Sequence, residues 1–237
     1  MTSRQVESLE LIEHVNELRK RLLIALLAVV GGTLISFALA ERLIRILAVP
    51  IGGLERLQSI AVTENVGVFM RVSLLAGFIL ALPVVVYQVV AFFSPGLEKN
   101  EKRWLYSAIP SATILFLSGV AFSYFVMLPT AIPFLTKFLG VTTVPRLSDY
   151  IGFVTNLLFW IGLSFETPLL IFLLAKIGLV SAGMLLRGWR YAIIIIAVIA
   201  AFATPTVDPI SMGLLMLPLF VLYLLSIILA RIARPRE

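Results

Sequence analysis

Residues 150–175 read YIGFVTNLLFWIGLSFETPLLIFLLA, a stretch of 26 residues in which Glu166 is the sole charge. At about 1.5 Å per residue a helix of that length reaches about 39 Å, more than the roughly 30 Å of a bilayer's hydrocarbon core. The stretch therefore reads as a membrane span, and it is not alone. Apolar runs at 22–40, 72–93, 104–128, 191–203 and 210–230 bring the candidate spans to six. The fold class that follows is all-α: a polytopic membrane protein whose 237 residues form a single transmembrane domain. Composition agrees. The chain is 60% hydrophobic and 14% charged, with a mean hydropathy of +1.06, whereas a soluble domain is about 25% charged.

The fifth run, YAIIIIAVIAAFA, has 13 residues and covers only about 20 Å as a helix. Either its flanks assist, with Arg190 snorkelling, or the bilayer thins there. Prolines fall inside four runs, at Pro83, Pro110, Pro168 and Pro218. Each lacks an N–H and frees a carbonyl one turn back, so the spans are expected to kink and to curve into a concave wall. Placing the N-terminus in the cytoplasm puts 13 of the 19 Lys and Arg residues on cytoplasmic segments. That bias predicts both termini inside. It also accounts for the net charge of +6 without a nucleic-acid partner. Span one, preceded by 21 residues with four glutamates, is expected to be retained although Ala38-Leu39-Ala40 mimics a signal-peptidase site.

Apolar residues Val6, Leu9, Ile12, Val15, Leu18 and Leu22 recur at threes and fours, which predicts an amphipathic helix over 5–21. Glu10, Glu13 and Glu17 share its other face, and Glu17 stands one turn before Arg21, within pairing range. Such a helix can lie on the membrane surface. Anionic lipids would repel its acids, which suit a cationic partner better. The outer loop 41–71 is long and mixed; the outer loop 129–149, with Pro129, Pro133 and Pro145, is expected to be irregular. Ser94-Pro95 suggests a helix start, and Asp208-Pro209 suggests an N-cap for span six.

Glu166 is the chemical anomaly. An ionised acid near the bilayer centre costs at least about 2.5–3.5 kcal/mol. It is either a protonated acid hydrogen-bonded to a neighbouring span or part of a hydrated or partner-binding notch with Ser164 and Thr167. Catalytic chemistry finds no footing. The chain has no cysteine and one histidine, His14, so thiolate and histidine-rich metal sites are excluded. Val30-Gly31-Gly32 and Ile51-Gly52-Gly53 lack the lysine and spacing of a phosphate loop. An enzyme is not expected, nor is any cofactor.

Four segments, HVNELRKRLL (14–23), FFSPGLEKNEKR (92–103), FETP (165–168) and TPTVDP (204–209), occur in the order that resembles the TatC family. That family supplies the large membrane subunit and receptor of the twin-arginine protein translocase. The resemblance covers essentially the whole chain and implies a bacterial or archaeal cytoplasmic membrane protein. It implies a signal-peptide site on the cytoplasmic face, with Glu17 and Glu101 as the acids that read two arginines and Arg19, Phe92, Pro95 and Leu97 shaping it. It further implies that Glu166 and Asp208 engage TatA- or TatB-type single-span partners within a multimeric complex, that the short fifth span docks them, and that export uses the protonmotive force. Val66 and Gly67 stand where relatives carry aromatics, with Phe69 the nearest substitute. A different reading of the same acid is a proton-coupled small-solute transporter working through Glu166; a purely structural anchor is a third.

Overall fold

The computed structural model describes residues 3–93, 99–137, 144–204 and 209–233. Nearly all of this is helix, because hydrocarbon offers backbone N–H and C=O groups no partner but each other. α1 (Ser3–Ser36) leads through a short 3₁₀ turn into α2 (Ala40–Ala48). α3 is Glu64–Phe93 and α4 is Lys99–Phe122. A π-helical turn, Ser123–Met127, carries α4 into α5 (Leu128–Lys137). α6 (Leu147–Phe165) and α7 (Thr167–Lys176) are consecutive, broken at Glu166. α8 (Ala182–Arg187), α9 (Trp189–Ala203) and α10 (Pro209–Ala233) complete the chain.

Five helical segments among the described residues are long and apolar enough to cross a membrane: His14–Ile51, Glu64–Phe92, Leu105–Thr136, Leu147–Lys176 and Met212–Ala233. α9 is a shorter apolar helix of 15 residues, about 22 Å long. The chain is thus a multi-pass helical membrane protein.

Three features differ from the sequence reading. The helix over 5–21 is not a separate surface helix; it continues without a break into span one as α1. Its triplet Arg19-Lys20-Arg21 is made of good helix formers, so nothing stops the helix there. The expected irregularity after residue 129 gives way to α5, which runs to Lys137 and contains Pro133. Pro129 is the second residue of α5, directly after the π-helical turn Ser123–Met127, so its missing N–H falls where the regular hydrogen-bond ladder is already interrupted. The outer loop 41–71 is also more ordered than its mixed composition suggests, holding α2 and 3₁₀ turns at Val49–Ile51 and Leu54–Arg56. Residues 94–98 and 205–208, where helix starts at Ser94-Pro95 and Asp208 were expected, lie outside the described residues; α10 does begin at Pro209.

α6 is the most enclosed element. Val154, Leu157, Leu158 and Ile161 are buried on it among Val72 of α3, Leu128 of α5, Ala200 of α9 and Leu215 of α10. A second cluster joins α9 to α10 through Ile196, Leu219, Tyr223 and Ile227. Lipid is as apolar as these side chains, so close packing rather than water exclusion must hold the helices together. That makes small residues at the crossings informative.

Candidate functional site

α1 and α3 form an antiparallel pair, and three contacts fix its register. Phe37 meets Phe69 with ring centroids 5.4 Å apart. Gly32 meets Gly77 so closely that a Cβ on either would lie 2.4–2.5 Å from the other helix's backbone. His14 meets Phe92 with centroids 4.6 Å apart. From Phe37 to His14 is about 35 Å of helix. The pair therefore has two polar ends separated by a membrane's thickness of apolar contact.

The His14 end holds Glu17, Arg19 and Phe92 of the residues that the sequence nominated for peptide binding. Glu17 lies three residues after His14, on the same face of α1, and is paired with Arg21 as its spacing predicted. Arg21 donates through Nε at 2.9 Å and Nη2 at 2.5 Å, and both bonds fall on Oε1 of Glu17. Among the described residues no donor reaches Oε2, and about a third of the side chain is exposed. Arg19 is exposed on α1, and Phe92 is half-buried in the last turn of α3. Glu101 lies in the first turn of α4, which begins six residues after α3 ends. Pro95 and Leu97 lie outside the described residues, as does Asp208. Sequence reading treated His14 only as a lone histidine. Its ring on Phe92 is what joins α1 to α3 here, a contact across 78 residues that no local pattern signals.

The opposite end is organised by Glu64, which sits at the start of α3 and is buried. Its Oε2 accepts from the N–H of Ile60 at 2.9 Å and of Ala61 at 3.2 Å. Oε1 accepts from the N–H of Ser148 at 2.7 Å. Arg146 completes the set with Nε at 3.1 Å from Oε2. Beside it a parallel bridge joins Gln58 to Arg146, with Gln58 N–H donating to Pro145 and Leu147 N–H donating to Gln58. One carboxylate thus ties the loop before α3 to the segment opening α6. Phe69 answers the missing aromatics at Val66 and Gly67 by packing on Phe37.

Glu166 occupies the break between α6 and α7, with Pro168 at the second residue of α7, where proline is tolerated. It is 8% exposed. Its Oε1 has no hydrogen-bond partner among the described residues. Ser164 turns away, donating back to the carbonyl of Trp160 at 2.7 Å, so the expected polar notch is narrower than the sequence suggests. Packing here is tight. A Cβ on Gly119 of α4 would lie 2.8 Å from Cα of Gly162 on α6.

Residues 13–218 match the family model described as Sec-independent protein translocase protein (TatC). The chain is 37% identical over 239 residues to the Sec-independent protein translocase protein TatC of Deinococcus radiodurans, covering 97% of this chain and 88% of that one. Against TatCy of Bacillus subtilis the identity is 35%, covering 98% and 93%. Among solved structures, one described as the twin-arginine translocase receptor TatC superposes with a TM-score of 0.83 at 34% identity, over 93% of this chain and 99% of that chain.

Proposed function

The chain belongs to the TatC family of Sec-independent protein translocase proteins, and from that premise we propose that it is the membrane receptor that binds twin-arginine signal peptides at Glu17 and Glu101. The protein is a non-enzymatic component of a translocase. Its partners belong to the twin-arginine system: the signal peptides of exported folded proteins, TatA- or TatB-type single-span subunits meeting Glu166 and Asp208, and further copies of itself. It resides in a bacterial or archaeal cytoplasmic membrane with both termini inside, and export draws on the protonmotive force. The solute-transporter reading of Glu166 has no counterpart among the relatives.

One observation carries the proposal. Glu17 is held in place by Arg21, yet both of Arg21's bonds use a single oxygen. A carboxylate accepts several hydrogen bonds, and a guanidinium offers planar paired donors. Oε2 is therefore pre-aimed for an arginine of the peptide, and Glu101, in the first turn of α4, supplies the acid for the second. Arg21 lowers the cost of holding Glu17 in one rotamer without consuming it. A pair of acids prefers paired arginines to paired lysines, because only the guanidinium can bond bidentately.

The test is photo-crosslinking of a signal peptide to the protein in membranes. An Arg-Arg peptide should label the chain strongly. Glu17→Ala with Glu101→Ala should reduce labelling by about tenfold or more, the loss of a charge-assisted hydrogen bond at about 1.5–3 kcal/mol each. Equal labelling by a Lys-Lys peptide would overturn the proposal.

A further inference from the structure

Away from both polar ends, a groove of about 380 Å³ opens between α7, α8, α9 and α10. Its wall is mostly apolar, with Ile171, Met184, Ile195 and Leu222 on it, Ser164 and Thr167 beside the α6–α7 break, and Tyr191 near the passage from α8 to α9. The groove is a built feature. Tyr223 of α10 donates its hydroxyl to the carbonyl of Leu185 at 2.6 Å, which pins α8 across one end.

The mouth is cationic. Arg187 ends α8 and Arg190 lies in the first turn of α9, on either side of groove-lining Gly188 and next to groove-lining Tyr191. Both arginines are exposed, and Arg190 rests 5.8 Å from the centre of the Trp189 ring. Between 167 and 207 the sequence contains Lys176, Arg187 and Arg190 and no acid at all. Neither guanidinium has a carboxylate partner among the described residues. Trp189 and Tyr191, exposed beside them, are the residue types that settle at headgroup level.

An apolar lining flanked by cations and interfacial aromatics suits an amphiphile with an acyl chain and an anionic headgroup. The shortness of α9 adds a reason. At about 22 Å it leaves hydrocarbon thickness uncovered beside it, and a held lipid fills that space. We infer that the groove binds one anionic phospholipid, its phosphate between Arg187 and Arg190 and one acyl chain along α7, α9 and α10.

The test uses the full chain purified in detergent, with phosphatidylglycerol and phosphatidylcholine of identical acyl chains, read by native mass spectrometry. Phosphatidylglycerol should be retained about tenfold or more over phosphatidylcholine, the contribution of two cations near a headgroup. Arg187→Gln with Arg190→Gln should erase that preference while leaving both lipids able to bind. Ile195→Trp, and independently Leu222→Trp, should lower retention of both lipids by filling the groove. Equal retention of the two lipids by the unmodified chain, or an intact preference in the double glutamine variant, overturns the inference. So does a groove-filling variant that keeps its lipid but loses co-purification with a single-span subunit, since the occupant would then be a partner helix. None of these readouts involves signal-peptide labelling, so failure here and failure of the receptor reading are separable.

Discussion

Glu64 shows what a single side chain contributes to this molecule. Its carboxylate accepts three backbone N–H groups and pairs with Arg146, 82 residues away. A buried acceptor set of this kind is expensive to lose, because each orphaned N–H has been taken from water without replacement. Glu64→Ala should lower the melting temperature of the purified protein by several degrees. Glu64→Gln keeps an acceptor oxygen but gives up the ion pair, and should fall between. Arg146→Ala should cost less than Glu64→Ala, because Arg146 is partly exposed and leaves the backbone donors satisfied. A larger loss for Arg146→Ala would refute this ordering. The sequence shows Glu64 only as an acid in front of an apolar run, a sign of a helix start; its partner is invisible until the chain is folded. Glu17 is the contrary case. Its pairing with Arg21 is local, at one helical turn, and could be read from spacing alone.

Among the elements, the α1–α3 pair depends on adjacent glycines that do different work. A Cβ on Gly32 would lie 2.5 Å from the carbonyl oxygen of Gly77, whereas one on Gly31 would meet nothing within 4 Å. Backbone cannot step aside as a side-chain tip can. Gly32→Ala should therefore destabilise by about 1–3 kcal/mol, the usual cost of overpacking. Gly31→Ala should be neutral or stabilising by about 0.5–1 kcal/mol, because alanine is the better helix former. Chemical or thermal denaturation in detergent micelles separates the two, and equal behaviour would mean that the helices cross elsewhere. Read from sequence, Val30-Gly31-Gly32 could be excluded as a phosphate loop, but not assigned to a helix crossing. Hydrophobic length made the spans themselves legible. It did not place their ends: proline at 129 and 133 suggested a loop, and the helix Leu128–Lys137 absorbs both.

At the scale of the whole molecule, the unbroken α1 sets the geometry of everything else. Because α1 carries His14 and Glu17 on one helix that runs directly into the 3₁₀ turn holding Phe37, the proposed peptide-binding end and the Glu64 end cannot move independently along the membrane normal. Length, periodicity and motif order exposed the architecture and the acids, since those are local or compositional properties. What stayed hidden were the contacts that join distant segments, His14 to Phe92 and Glu64 to Arg146, which depend on how spans are arranged around α6. The same arrangement makes sidedness a testable property of the whole chain. With the six crossings proposed, thirteen of 19 cations fall on segments that share a side with the N-terminus, and the cations of short loops are the ones that resist crossing. The chain has no cysteine, so single cysteines report cleanly. Val62, 98% exposed in the loop before α3, should react as Val62→Cys with a membrane-impermeant maleimide added to intact cells. Arg187→Cys, at the end of α8, should react only after the membrane is opened. If both label from the same side, α7 to α9 are threaded differently from this description, and the cationic rim of the α7–α10 groove no longer faces the inner leaflet.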